Sequence, residues 1–223
     1  MSIGLSRCAA ITSVSFLLSL AAAAHGQDRA TVKEKQPIPR GGYKSWSLFL
    51  VSRQSWLVTP NKELVADLYD RFEAFGRQIG DDHLAVWFWK DEPAPNDPRL
   101  KVADNVDVAR ASAFCAKLKL KPNSGPYLIF TTTYPDENAA PSAFSVIELG
   151  STADQIGRLL ERLGNQLVTD GIIKNREFVH ATGTDDFWNA WYDATRHALS
   201  SLGFAFPVSV RTPTLSLESG ARR

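Results

Sequence analysis

Cysteine is nearly missing from this chain: its 223 residues hold two, Cys8 and Cys115. So few thiols exclude a disulfide framework and a multi-cysteine metal site. Charge of one sign is also lacking. Lys and Arg number 25 against 24 Asp and Glu, a formal net charge of +1. No global field draws the protein to nucleic acid, and no basic stripe interleaved with aromatic residues runs along the sequence. A nucleic-acid partner is therefore not expected. Gly-rich phosphate loops, Gly-x-Ser-x-Gly, His-Glu-x-x-His and His-x-His are all absent, so no cofactor or metal is indicated. There are no internal repeats, and only the N-terminus carries a long apolar run.

That run is the plainest signal present. Arg7 supplies a positive start, Ala9 to Leu20 form an apolar stretch, and Ala21 to Ala24 are small. This is the layout of a secretory signal peptide, with a cut after Ala24 or after Gly26. Read as a membrane anchor, the same stretch is at the short limit of a spanning helix and is interrupted by Ser and Thr. Cleavage removes Cys8, leaves Cys115 without an internal disulfide partner, and allows no stable membrane insertion. The expected location is periplasmic or secreted. Beyond the leader, 44% hydrophobic and 22% charged residues are enough for one substantial core. The reading divides the chain into a signal peptide (1–26), a flexible leader (27–44), a folded domain with a C-terminal helical extension (45–206) and a disordered tail (207–223).

The expected class is α/β. Ser45 to Ser52 reads as a buried first strand. Thr59 as N-cap and Pro60 at the first helical position open a helix striped by Leu64, Leu68, Phe72, Phe75 and Ile79. His83 to Lys90 is a second strand, apolar on both faces. Asp91 to Asp104, with three prolines, reads as a loop. A helix over Asp107 to Leu118 places Val108, Ala111, Phe114, Cys115 and Leu118 on one face. Tyr127 to Thr133 and Ala143 to Leu149 are close enough to form an antiparallel pair. Thr152-Ala-Asp-Gln155 is a capping box ahead of the stripe Ile156, Leu159, Leu160, Leu163 and Leu167. Thr184 or Asp185 caps a last helix carrying Phe187, Trp188, Trp191 and Tyr192.

From Ser45 to about Leu167 the order is strand, helix, strand, helix, strand, strand, helix, and Gly125-Pro126 stands just before the third strand. This order resembles the thioredoxin family, in which a proline, usually cis, occupies that place beside the active site. The resemblance implies a mixed four-stranded sheet flanked by helices, with an extra helix at the C-terminus here. It also implies a groove, between the loop after the first strand and the proline, that engages extended peptides. The redox members carry Cys-x-x-Cys in that loop. The matching residues here are Ser52, Arg53, Gln54 and Ser55, followed by Trp56, and a hydroxyl cannot serve as a redox centre. The implied activity is binding without thiol–disulfide exchange, with Ser52, Arg53, Gln54, Ser55, Trp56, Gly125 and Pro126 as the binding residues and a protein or peptide as partner.

The remaining reactive residues read as structural. Cys115 lies on a core-facing helix side, as free thiols usually do. His83 follows Asp81-Asp82 in a turn, Asp185-Asp186 suit a helix start, and His180 and His197 are isolated. The sequence thus points to an exported accessory module of the bacterial envelope. Two rivals stand beside it: a hydrolase or transferase assembled from loops, and a structural component docking through the aromatic face of its last helix. Intact-mass measurement of the protein recovered from the extracytoplasmic fraction should give a chain beginning at His25 or Gln27. An uncleaved mass would make the apolar run an anchor.

Overall fold

The computed structural model describes residues 28–58, 60–90, 98–121, 125–150, 152–202 and 207–219. The leader calls on residues 1–27, and the N-cap role of Thr59, lie outside them. In chain order the elements are β1 (Arg29–Lys33), β2 (Ser45–Leu50), α1 (Lys62–Ile79), β3 (His83–Trp89), α2 (Pro98–Asn105), α3 (Val108–Lys117), β4 (Tyr127–Thr131) and β5 (Phe144–Glu148). They continue with α4 (Ala153–Thr169), β6 (Ile173–Lys174), β7 (Glu177–Phe178), α5 (Asp185–Ser200), β8 (Val208–Arg211) and β9 (Ser216–Ser219). Seven strands form one mixed sheet in the order β1-β3-β2-β4-β5-β8-β9. β3 is parallel to both β1 and β2, and every other pairing is antiparallel. The α/β class and the antiparallel β4–β5 pair agree with the sequence reading. The sheet is wider than the four strands expected.

One face of this sheet is covered by helices. The expected stripe of α1 is buried, as is that of α4. Phe130 of β4 sits at the centre, and its row neighbours are Ser47 on β2 and Ser145 on β5. These two small residues leave room for the ring of Trp191, which stacks on Phe130 at 3.7 Å between centroids. Phe187 and Trp188 of α5 pack around the same ring. Thr152 and Thr184 accept hydrogen bonds from the backbone N–H of Gln155 and Phe187, so both expected caps are present. α1 begins at Lys62, two residues later than Pro60.

Among the described residues the other face has only one helix, α3, whose Ala111, Phe114, Cys115 and Leu118 meet Leu48, Leu50, Val86, Phe88 and Ile129. The rest is covered by residues 34–43, part of the segment expected to be a flexible leader. That expectation is corrected twice. Residues 29–33 form edge strand β1, and the following stretch is a fixed strap that buries Ile38 and Tyr43. Two of its residues are prolines without an N–H, and the strap is held largely through its carbonyls. Arg110 donates to the carbonyls of Lys33 (2.8 Å) and Gln36 (2.6 Å), Tyr134 to that of Ile38 (2.8 Å), and the Trp46 indole to that of Pro39 (3.0 Å).

Two further expectations are overturned. Residues 208–219, expected to be disordered, form the β8–β9 hairpin along β5. Val208, Val210, Leu215 and Leu217 alternate toward the helical face, and the Thr212 hydroxyl accepts from the N–H groups of Thr214 and Leu215 to fix the turn. Within the expected loop 91–104, residues 98–105 are helix α2, because Pro98 stands at its first position, where its missing N–H costs nothing. Residues 91–97 lie outside the described set.

Arg110 joins the strap to the body with its side chain nearly sealed, and pairs with Glu137 as well. Arg110→Met should lower the unfolding free energy by about 2 kcal/mol, because the strap carbonyls of Lys33 and Gln36 and the Glu137 carboxylate lose a nearly sealed donor that they share. Urea denaturation measures this, and limited proteolysis should open the chain within 34–43. A loss below about 1 kcal/mol would show that the strap has no need of the guanidinium.

Candidate functional site

β2 ends at Leu50 because the next residues turn out of the sheet. Val51 and Ser52 remain buried, Arg53, Gln54 and Ser55 are exposed, and a single 3-10 turn over Gln54–Leu57 returns Trp56 and Leu57 to the interior. The turn is closed by the Trp56 N–H on the Arg53 carbonyl (3.0 Å) and braced by the Asn61 side-chain amide on the Ser55 carbonyl (3.1 Å). Antiparallel pairing of Leu50 with Tyr127 brings the start of β4 to the same end of the sheet. Two residues beyond Leu50 is Ser52, and two before Tyr127 is Gly125. The loop after β2 and the Gly125-Pro126 dipeptide before β4 therefore lie at the same end of the sheet.

The seven expected binding residues are not equivalent. Arg53, Gln54 and Ser55 offer side chains to solvent. Ser52 does not: its carbonyl accepts from the Ser112 hydroxyl (2.9 Å), and it hydrogen-bonds to the Cys115 thiol beneath it. Burial pushes that thiol up from its ordinary value, against the opposing Ser52 hydrogen bond, so it is held protonated. The Trp56 ring belongs to the helical-side core, with its indole N–H buried and without an acceptor, so it supports the loop from below. Gly125 and Pro126 are buried, and the Pro126 carbonyl accepts from the Leu149 N–H (2.9 Å). A side chain at position 125 would crowd this junction: its Cβ would stand 3.2 Å from the Leu149 carbonyl oxygen and 4.0 Å from a Glu148 carboxylate oxygen. Glu148 was not singled out by the sequence reading, since only the strand pairing brings it here.

The other reactive groups stand elsewhere. His83 is at the opposite end of β2 from Ser52, 1% exposed, with Nδ1 2.8 Å from the Ser45 hydroxyl and its ring stacked on Phe130. Asp81 pairs with Arg176 (2.7 Å) and Asp82 with Lys44, while Asp185 accepts from the Thr214 hydroxyl (2.6 Å). The Arg176 contact depends on the β6–β7 hairpin, whose turn residues Asn175 and Arg176 both have positive φ. His197 lies against Asp170 on the surface. Among the described residues no group of three or more His, Cys, Asp and Glu could hold a metal ion. Phe187, Trp188, Trp191 and Tyr192 are all buried. The last helix is thus part of the body, and its aromatic face is not a docking surface. Truncation before it would empty the core.

Two surface clefts also occur. One, of about 330 Å³, lies between α1 and α4 and is lined by Asp67, Asp70, Arg71 and Asp154. The second, of about 410 Å³, lies between α4 and the end of α5 and is lined by Arg158, Glu161, Arg162 and Asn165. Neither includes a residue of the Ser52–Trp56 loop or a histidine. Among the described residues no helix is long and apolar enough to cross a membrane. Comparison of the chain with protein-family models, with curated proteins and with solved structures finds no match.

The buried imidazole sets a pH dependence. Desolvation pushes the His83 pKa down to about 3, against about 6.5 in an unfolded chain. Between those values the unfolded chain binds the extra proton. Stability from this group is therefore complete above pH 6.5 and falls with acidification toward pH 3, at about 1.4 kcal/mol per pH unit. His83→Phe should flatten the loss between pH 6.5 and 4.5 in urea titrations. Identical slopes for the two proteins would refute the assignment.

Proposed function

We propose that this protein is an exported thioredoxin-like binding module that engages an extended peptide segment without redox chemistry. The observation that carries the reading is the arrangement β3-β2-β4-β5, with the first pair parallel and the rest antiparallel. α1 and α4 lie on one face, α3 on the other, and a Gly-Pro dipeptide leads the third of these four strands. A mixed four-stranded core with helices on both faces supports the resemblance, with β1 and the β8–β9 hairpin lying at its two edges. The export part of the proposal rests on the N-terminal run alone.

The chemistry favours recognition over catalysis. Serines stand at both positions where a redox loop needs sulfur, and the remaining thiol, Cys115, is sealed under Ser52. What the loop offers a ligand is Arg53, Gln54 and Ser55 on a braced turn, beside a strand start fixed by Pro126. A rigid site of this kind loses little entropy on binding. An extended chain laid along it would be held mainly by backbone hydrogen bonds, as in strand addition.

Ser55→Ala and Pro126→Ala, each verified as folded by thermal unfolding, should lose the partners that the wild-type protein captures by crosslinking in the native extracytoplasmic fraction. Retention of every partner by both variants would move the site away from this groove.

A further inference from the structure

We infer that residues 34–43 are a lid that opens as one unit while the sheet beneath it stays folded, with Tyr134 and Arg110 as its latches.

Both ends of the segment are pinned. The Glu34 N–H donates to the Trp89 carbonyl (2.9 Å), which extends the β1–β3 pairing, and the Lys44 N–H donates to the Asp82 carbonyl (2.8 Å). Between these pins the segment joins no strand. The Gln36 N–H turns back on the Lys33 carbonyl (3.0 Å), and Pro37 and Pro39 have no N–H to offer. Of its ten positions only Ile38 and Tyr43 are buried, so little apolar contact resists its departure. Gly41 and Gly42 have no atoms around the places their side chains would take, and Gly42 has a φ of +79°. A hinge there turns without striking a neighbour.

Closure is concentrated in a few side chains of the body. Tyr134 donates to the Ile38 carbonyl (2.8 Å), takes the Arg40 guanidinium over its ring at 3.9 Å, and lies edge-on to Trp46 at 5.7 Å. Arg110 holds the Lys33 and Gln36 carbonyls, and the Trp46 indole holds that of Pro39. Each latch engages more than one position of the lid, so releasing one loosens its neighbours and the segment leaves together. Opening bares Trp46 and the apolar surface around it, which Ile38 and Tyr43 cover when the lid is shut. The device controls access to one face of the sheet.

The test places a thiol under the lid, Ile38→Cys in the full chain, and follows its reaction with a soluble disulfide reagent by peptide mass, which separates it from the native cysteines. Its labelling should be slow and nearly independent of urea below the unfolding transition, because lifting the lid exposes far less surface than unfolding the chain. Tyr134→Phe should speed it about tenfold. Leu163→Ala, sealed on the helical face, lowers global stability but should leave the labelling rate within about twofold. A urea dependence as steep as that of global unfolding, or acceleration by Leu163→Ala in step with lost stability, overturns the inference, since the segment then leaves only when everything does. Labelling at the rate of an unfolded peptide, or no effect of Tyr134→Phe, overturns it as well, since nothing is then latched. Tryptic cleavage after Lys35 or Arg40 of the unaltered protein, followed through the same urea series, gives the same reading if Ile38→Cys does not fold.

Discussion

A sheet that is apolar on both faces has to be covered twice, and the described residues hold helices enough for one side. α1, α2, α4 and α5 close the first face, while α3 alone stands over the second. The shortfall is met by a proline-containing strap with little apolar bulk of its own, and such a strap cannot be held by hydrophobic burial alone. It is held by its acceptors. Arg110 gathers the carbonyls of Lys33 and Gln36 and lies over the Phe88 ring at 4.6 Å. The planar guanidinium suits this because it can serve several acceptors while its face rests on an aromatic ring. The Asp107 cap of α3 accepts from the Arg110 N–H at 2.9 Å, so helix start and strap anchor are one local unit.

The helical face solves the opposite problem, an excess of large rings. Trp87, Phe130, Phe187, Trp188 and Trp191 are all nearly sealed. Their volumes fit because serines flank Phe130 in its row, and the hydroxyls of Ser47 and Ser145 are left without partners as a result. An unpaired buried hydroxyl costs on the order of 1–3 kcal/mol, a cost set against the dense stacking of Trp191 on Phe130. This packing binds the last helix to the strands at the centre of the sheet.

The elements with a strong local period were legible in the sequence: the two-faced strands β2 and β3, the stripes of α1 and α4, and the threonine caps. The elements that escaped it are short or depend on distant partners. β1 and β9 are edge strands, where half the pattern is polar because one side meets solvent. The strap looks disordered in sequence because the groups that order it, Arg110, Tyr134 and Trp46, lie up to 96 residues away along the chain. At the proposed site, the loop and the Gly-Pro dipeptide were singled out through the resemblance, on element order and one dipeptide. It could not tell that a 3-10 turn would send Trp56 inward, nor that the neighbour of Gly125 would be Glu148, because both follow from how strands and turns are set against one another.

Those same constraints underlie the proposal that the loop serves recognition and not reaction. A redox or nucleophilic centre needs a thiolate or a base that solvent can reach. Here the one described thiol is buried on the strap side of the sheet under Ser52, and the sealed histidine is at the far end of β2, held neutral by desolvation. Cys115 and His83 have been drawn into the interior, while the exposed turn presents an amide, a hydroxyl and a guanidinium on a backbone braced by Asn61. A surface of that composition can discriminate among ligands through shape, hydrogen bonds and charge. Among its described residues it presents no thiol through which electrons could pass.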